Sequence, residues 1–459
     1  MNKITKILKK YYLENSRLEN FSIGYVSVVM LFLFIYNLLN YSVFYGYDAD
    51  AHIAYVDYIA MYLPSNFKLP LEEHTYEYFS PPIPYIFPAI VQVICRNFSD
   101  SLDLVRHCQP IYGKFSQIFQ TLLYVSSLYF YMKTLKVLNS KKTLINVSFL
   151  ILMSLMAVNY RTILMIRGEP YIVFFLSILL YLFVKIHKSK FEIKGKNVIL
   201  FSLVIGMLGI SRQWGLLLLP SLALILFYFE PEMRKKYFKF MLIVFVISMI
   251  IILPFYINLF FTSGSAISFN KEPYPFSFNN QPNSFYNPFN EDISKLFTKP
   301  IRGNLDNQLF PILYSDLWGD YWGYLAFTSN NLEEGRNQLE IGDYLARVNI
   351  FSLIPTIFLI LGLLKIKNNN QIGVLVKYIR YSIFITFLGY LWFLIKFPEI
   401  PSGDTIKSSY IIQLFHLMAV ISSLYIEQIR KRSEKIYKTL LIFLLLVFTH
   451  NIPAMMSHF

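Results

Sequence analysis

The chain has 459 residues, a formal net charge of +14, 55% hydrophobic residues and only 15% charged residues. Soluble globular proteins carry about 25% charged residues, and several apolar runs here approach the length of about 20 residues that spans a bilayer as a helix. The basic residues lie in short clusters between these runs, as is typical of cytoplasmic loops. Composition therefore indicates a polytopic membrane protein, excludes a soluble globular domain and gives no indication of nucleic-acid binding.

The first apolar run, residues 22–44, follows a polar N-terminal stretch that carries five basic residues. The run is longer than a signal-peptide core and no small-residue cleavage site is evident, so we expect a retained first helix. The basic residues before it predict a cytoplasmic N-terminus. The segment that follows, residues 45–109, is then expected on the extracytoplasmic side.

Residues 82–95 are apolar but short, and they contain Pro82, Pro84 and Pro88. Proline removes a backbone donor and disrupts a helix interior. If this segment spanned the membrane, most later basic clusters would lie outside, whereas folding it back into the first outer loop puts them inside. We therefore predict an all-α protein of about eleven transmembrane helices, with the N-terminus inside and the C-terminus outside. The predicted spans are 22–44, 110–132, 143–160, 170–187, 197–210, 213–229, 240–262, 349–364, 381–395, 408–427 and 439–452.

The chain is predicted to form one transmembrane domain, residues 1–452, followed by a short tail, residues 453–459. Two outer loops are large, namely 45–109, which is expected to carry interfacial helices, and 263–348, which is rich in Asn, Pro, Phe and Tyr. No internal repeat is apparent, which counts against an inverted-repeat transporter.

Asp48, Asp50 and His52 follow the first helix in the sequence YDADAH, residues 47–52. In a helix, Asp48 and His52 would share one face at a spacing of four residues, with Asp50 pointing elsewhere. A positioned carboxylate can remove a proton from a reacting group. These three residues are therefore candidate catalytic residues, although a capping aspartate at the start of an interfacial helix fits the same pattern.

Three arginines fall at predicted outer helix ends: Arg161, Arg167 and Arg212. An ionisable side chain near the membrane surface is costly and marks a candidate functional site, although an arginine that snorkels to a lipid headgroup is the alternative. Guanidinium groups donate two parallel hydrogen bonds to phosphate. We assign these arginines, with Lys407 and Tyr410, to the binding of a donor phosphate; for Lys407 the alternative is an interfacial anchor.

The outer loops hold further polar clusters. The acidic run Glu72, Glu73, His74 and Glu77 could bind a divalent metal, although its spacing is not that of a compact metal site and a solvated acidic loop is the alternative. The run YSDLWGDYWG, residues 314–323, interleaves aromatic rings with carboxylates, as sugar-binding sites do, although an interfacial aromatic belt is the alternative. We assign four residues to sugar or acceptor binding: Glu77, Asp316, Trp318 and Asp320.

The only two cysteines are Cys95 and Cys108. They could pair in an oxidising compartment or remain free thiols. Both fall in the first outer loop of the predicted topology.

The YDADAH motif in a long first outer loop resembles the GT-C superfamily of integral-membrane glycosyltransferases, particularly the branch of protein O-mannosyltransferases and lipid A aminoarabinose transferases. The Pro-Pro segment of residues 78–85 and the many-helix layout support the resemblance, which covers the first 110 residues well and the rest only in layout. By position, Asp48 resembles the family's first acidic residue. Many members have two acids in tandem, whereas here Ala49 replaces the second and Asp50 follows it.

The resemblance implies an inverting glycosyltransferase with a polyprenyl-phosphate sugar donor and a first-loop acid as general base. The acceptor is expected to be a lipid, a glycan or a protein at the extracytoplasmic face, and no cofactor is implied beyond the divalent metal considered above. The alternatives are a transporter or flippase of a lipid-linked glycan, and a glycan ligase that uses residues 263–348. The composition suits a bacterial inner membrane, and the endoplasmic reticulum membrane is the alternative.

Overall fold

The computed structural model describes residues 16–63, 65–98, 103–139, 146–287, 291–326, 336–366 and 373–457. These residues form helices, turns and loops, and no strand occurs among them. The α-helices in chain order are α1 Arg17–Asn40, α2 Ala49–Tyr62, α3 Ile83–Asn97, α4 Leu104–Asn139, α5 Val147–Leu155, α6 Ala157–Leu164, α7 Glu169–Lys188, α8 Gly195–Gly209, α9 Leu219–Leu224, α10 Pro231–Ser263, α11 Asn283–Tyr286, α12 Leu309–Trp318, α13 Arg336–Lys365, α14 Gly373–Lys396, α15 Ile412–Arg432 and α16 Glu434–Asn451. Short 3₁₀ helices lie at Gln213–Leu218, Ile225–Tyr228, Phe278–Asn280, Glu291–Phe297, Ser408–Ile411 and Ile452–Met455.

Seven of the described helices are long and apolar enough to cross a membrane, and the pair α5 and α6, bent by 64°, makes an eighth if it counts as one span. The predicted all-α fold with several candidate membrane spans is thus confirmed, while the count of eleven stays a prediction. The seven are Arg17–Asn40, Glu169–Lys188, Pro231–Ser263, Glu340–Lys365, Gly373–Lys396, Ser408–Arg432 and Glu434–Met455.

The other predicted spans are helical but depart from a simple apolar rod. Helix α4 covers the predicted span 110–132, yet Lys114, Gln117 and Gln120 on it donate hydrogen bonds to backbone carbonyls of neighbouring segments. Helix α8 has only 15 residues. The segment Gln213–Tyr228 passes from 3₁₀ to α and back to 3₁₀ geometry. These features explain why the hydropathy pattern alone overstates how regular the spans are.

Burial separates central helices from peripheral ones. In α7, 67% of the most apolar 18-residue window is buried, and 78% in Ser408–Arg432. The corresponding share is only 28% in α1 and 33% in α10. A helix that is apolar on its exposed face suits hydrocarbon rather than water. Helices α7 and α15 therefore lie at the centre of the described helices, and α1 and α10 lie at the periphery.

The ends of the peripheral helices follow ordinary capping chemistry. Ser16 caps α1 in a capping box with Glu19, each side chain accepting a hydrogen bond from the other residue's backbone N–H. Helix α10 ends at Gly264, whose φ of 74° lies in the left-handed region that glycine adopts without strain. The chain can therefore leave α10 sharply and enter the loop that covers the functional site.

Helices α2 and α3 and the start of α4 pack into one helical unit. Asp57 of α2 accepts hydrogen bonds from Gln92 of α3 at 2.6 Å and from Gln109 and Tyr112 of α4 at 2.8 and 3.1 Å. Helix α3, which begins with proline in its first turn where the missing N–H costs nothing, is not among the helices long enough to span. This arrangement agrees with the predicted return of residues 82–95 into the loop.

A disulfide between Cys95 and Cys108 joins α3 to α4. It closes a loop with a sequence separation of 13 residues. Of the two states considered for these cysteines, the structure has the paired one. The bond ties the end of α3 to the start of the long helix α4.

Candidate functional site

A polar cavity of about 200 Å³ lies where the segment between α1 and α3 meets residues 212–214 and segments from the second half of the chain. The residues that line it combine acids, bases and aromatic rings. They are Tyr47, Asp48, Glu77, Phe79, Ser80, Arg212, Gln213, Trp214, Phe269, Asn270, Lys271, Arg302, Trp322, Tyr324, Phe393, Phe397, Asp404, Thr405, Lys407 and Tyr410.

Asp48 lies at the mouth of this cavity, immediately before α2. Its side chain is exposed and makes no capping hydrogen bond, although the residue occupies the position of the N-cap. Within the described part of the chain no other hydrogen bond or ion pair engages its carboxylate. The structure thus leaves Asp48 free to face a ligand. Asp50, which is also exposed, lies in the first turn of α2 and does not line the cavity.

His52 is buried behind Asp48 rather than lining the cavity. Its Nδ1 shares a hydrogen bond of 2.8 Å with the Tyr85 hydroxyl, and its Nε2 lies 3.9 Å from a Glu77 oxygen. Burial lowers the pKa of His52 well below its usual range, and the positive charges of Arg167 and Arg212 lower it further. The imidazole is therefore neutral near pH 7, which suits a positioning role better than proton transfer.

Arg212 lies in the cavity lining and is held by carboxylates from two other segments. Its Nη1 donates to Glu77 at 2.9 Å and to the Ser80 hydroxyl at 2.8 Å, while its Nε lies 3.7 Å from Glu169. Ser80 also donates a short hydrogen bond to Glu77. Burial lowers the pKa of Arg212, but the two carboxylates outweigh it and raise the pKa above the usual range. Arg212 is thus a permanent cation, and Glu77 is its buried partner rather than part of a solvated acidic loop.

Lys407 supplies a second cation to the cavity, and its side chain is only slightly exposed. Its ammonium lies 4.3 Å from the centre of the Tyr47 ring and 5.5 Å from that of Tyr410. Among the described residues no carboxylate or carbonyl pairs with it. Burying an ammonium group that has only aromatic rings beside it costs free energy. This position therefore favours an anionic ligand.

Arg161 does not reach the cavity, because it is fully buried and engaged elsewhere. Its guanidinium donates to Asp316 at 2.6 Å and to Asp320 at 3.1 Å. The other oxygen of Asp316 accepts from Ser408 through the backbone N–H at 2.7 Å. These buried carboxylates anchor α12 to α6 and to the start of the Ser408–Ile411 segment. Neither is placed to contact a ligand in the cavity, in contrast to the sugar-binding role predicted for both.

Arg167 lies just behind the cavity wall. It is buried and pairs with Glu169 at 3.3 Å. Its guanidinium carbon lies 5.3 Å from the centre of the Tyr47 ring and 5.4 Å from that of Tyr410. Of the five residues predicted to bind a phosphate, the structure therefore brings Arg212, Lys407 and Tyr410 into the lining and keeps the other two arginines behind it.

The predicted sugar-binding tryptophan also lies elsewhere. Trp318 is buried, donates its indole N–H to Thr356 at 2.9 Å and faces a second, apolar cavity. Trp322 and Tyr324, a few residues later, line the polar cavity instead. Helix α12 ends at Trp318, so the chain turns between the two tryptophans. The aromatic run thus contributes rings to the cavity lining, but its sequence does not say which of them lie there.

The acidic cluster of the first loop does not form a metal centre. Among the described residues, no group of three or more His, Cys, Asp and Glu side chains is placed to hold an ion. Glu72 and Glu73 are exposed, and Glu77 is committed to Arg212.

Comparison with models of known protein families gives no match for this sequence, and comparison with curated proteins gives none. The resemblance noted above therefore rests on the first-loop motif and the helical layout. Any functional proposal therefore has to be argued from the charged and aromatic residues that line the cavity.

Proposed function

We propose that the protein is an inverting membrane glycosyltransferase that moves a sugar from a polyprenyl-phosphate donor to an acceptor at the extracytoplasmic face. The observation that carries the proposal is one cavity that holds an unpaired carboxylate, Asp48, together with two cations, Arg212 and Lys407. Inverting transfer needs one base for the acceptor and positive charge for the departing phosphate. The cavity contains both.

In the proposed reaction, Asp48 accepts the proton of the acceptor's hydroxyl or amino group as that group attacks the anomeric carbon. The bond between the anomeric carbon and the phosphate oxygen breaks, and its electron pair remains on the polyprenyl phosphate. Lys407 and Arg212 stabilise the negative charge on that phosphate. Trp214, Trp322 and Tyr324 line the cavity and supply the aromatic rings on which the sugar can stack.

The topology belongs to the same proposal. The N-terminus and the basic clusters lie in the cytoplasm and the cavity opens on the other side. The disulfide between Cys95 and Cys108 supports this orientation, because such bonds persist in oxidising compartments. The membrane is proposed to be a bacterial inner membrane.

The experiment incubates the purified full-length protein with each of a panel of polyprenyl-phosphate sugars. Transfer is measured as the amount of polyprenyl phosphate released. Asp48→Asn should lower the rate by about 10²–10⁴, the usual contribution of a general base, while the donor still binds. Asp50→Asn is the matched control, since Asp50 is as exposed but does not line the cavity. An Asp48→Asn protein with full activity would remove Asp48 from the mechanism.

Lys407 provides an independent arm of the test. Lys407→Met should raise the KM for the donor by about tenfold, the effect of a charge-assisted contact worth about 1.4 kcal/mol. Lys396→Met is the control, because Lys396 ends α14 nearby but is absent from the lining. If both variants kept the wild-type KM, the phosphate would bind elsewhere.

A second candidate, a ligase that transfers a whole glycan, is favoured by one observation. The large second loop contributes Phe269, Lys271, Arg302 and Trp322 to the same cavity. Donors that carry a single sugar and donors that carry an oligosaccharide distinguish the two reactions. Turnover of the oligosaccharide donor alone would establish the ligase.

A further inference from the structure

A second cavity, of about 820 Å³, lies between α12, α13, α14 and α15. Its lining shares no residue with the polar cavity described above. Leu353, Ile360 and Phe384 form part of its rim and are 40%, 46% and 60% exposed. This apolar groove is therefore open along the sides of two membrane-spanning helices.

The side-chain polar atoms of Tyr314, Trp318 and Thr356 in the apolar groove already have partners. The Tyr314 hydroxyl donates to the Asn349 carbonyl at 2.6 Å, and Trp318 donates to the Thr356 hydroxyl at 2.9 Å. Thr356 in turn donates to the Ser352 carbonyl at 2.7 Å. Because a buried polar group of a ligand needs a hydrogen-bond partner, the groove suits a hydrocarbon chain rather than a polar molecule.

Arg380 is the one charged residue among those that line the apolar groove. Its Nε and Nη2 both donate to the Leu363 carbonyl, at 3.0 and 2.7 Å, near the end of α13. In the described part of the chain its Nη1 has no hydrogen-bond partner. A half-buried guanidinium with a free donor at one end of an apolar groove complements a lipid whose headgroup is negatively charged.

We propose that the apolar groove binds a chain of an anionic phospholipid, with the phosphate facing Arg380. The donor lipid is the other candidate occupant. Its phosphate would bind at Lys407, beyond the far end of α14, and Arg380 lies 16 residues before the last residue of that helix, or about 24 Å. A donor chain that entered the groove from there would bring only hydrocarbon to Arg380. The charge at that end therefore favours a membrane phospholipid.

The test is native mass spectrometry of the full-length protein in detergent, with phosphatidylglycerol, phosphatidylcholine or polyprenyl phosphate added separately. Retention of phosphatidylglycerol should exceed that of phosphatidylcholine and should fall about fivefold in Arg380→Gln. Lys377→Gln, on the same helix but outside the lining, should retain the wild-type amount.

Filling the apolar groove provides the second variant. Ile360→Trp should remove bound phosphatidylglycerol, whereas Ile357→Trp should not, because Ile357 is 51% exposed on the same helix but does not line the groove. Equal retention of the two phospholipids that Arg380→Gln leaves unchanged would overturn the proposal. So would retention of polyprenyl phosphate alone, reduced by Ile360→Trp and by Lys407→Met, which would assign the groove to the donor.

Discussion

Asp48 combines a carboxylate that has no hydrogen-bond partner among the described residues with a backbone conformation that few residue types adopt. Its φ of 54° and ψ of 30° lie in the left-handed region, which a short polar side chain adopts more readily than most. Gly46, two residues earlier, also has a positive φ, of 124°. The chain thus turns sharply between α1 and α2 and presents Asp48 at the cavity mouth. Asparagine tolerates the same conformation, so Asp48→Asn changes the charge without adding backbone strain.

The buried imidazole of His52 predicts a pH dependence of stability. The folded state holds the pKa of His52 well below the value of 6.5 expected in the unfolded chain. Below pH 6.5 the unfolded chain therefore binds a proton that the folded protein does not, and the free energy of unfolding falls on acidification by up to about 1.4 kcal/mol per pH unit. Thermal unfolding in detergent between pH 7.5 and about 5 measures this loss.

His52→Gln should remove this component of the pH dependence, whereas His107→Gln, at an exposed position, should leave the profile as it is. If His52→Gln and the wild type lost stability in parallel, the acid sensitivity would belong to other groups.

At the scale of the elements, α12 is held by a buried ion pair rather than by apolar packing alone. Asp316→Ala would leave the Arg161 guanidinium buried without its closest partner. Breaking a buried pair in this way costs about 3–5 kcal/mol, so we expect a large fall in the thermal unfolding temperature. Because α12 leads into Trp322 and Tyr324, donor binding should weaken as well.

The triple variant Arg161→Met, Asp316→Leu and Asp320→Asn separates charge from shape, because Asp320 is also paired with Arg161. Replacing buried charges with uncharged side chains of similar size is often neutral for stability, so this variant should be more stable than Asp316→Ala. If the two were equally unstable, packing rather than the uncompensated charge would account for the loss.

Local patterns in the sequence predict the helical elements well. Apolar runs and proline placement are local, and each predicted span overlaps a described helix, although Gln213–Tyr228 alternates between 3₁₀ and α geometry. The pairing of Arg161 with Asp316 spans 155 residues of sequence, and no local pattern carries such a contact. The sequence therefore identified Asp48, Arg212 and Lys407 as candidates, but it could not separate the arginine that lines the cavity from the two that lie behind its wall.

For the whole molecule, orientation in the membrane is the prediction that decides where the reaction occurs. Glu72 lies between α2 and α3, which we predict to be outside, and Lys190 lies in the basic loop after α7, which we predict to be inside; both are exposed. In intact cells, a membrane-impermeant maleimide should label Glu72→Cys and should label Lys190→Cys only after lysis. The native cysteines give no background, because they are paired with each other. Labelling of Lys190→Cys in intact cells would invert the proposed topology.

The disulfide between Cys95 and Cys108 also bears on how the protein is made. Chains are synthesised from the N-terminus, and early segments begin to fold before later ones exist. Both cysteines emerge more than 150 residues before Lys271 and about 300 before Lys407. The helices α3 and α4 can thus be joined covalently while the rest of the chain is still being translated. Later helices then pack against a unit whose disulfide has already formed. In a cell that cannot oxidise these two thiols, each molecule would begin to fold without that bond.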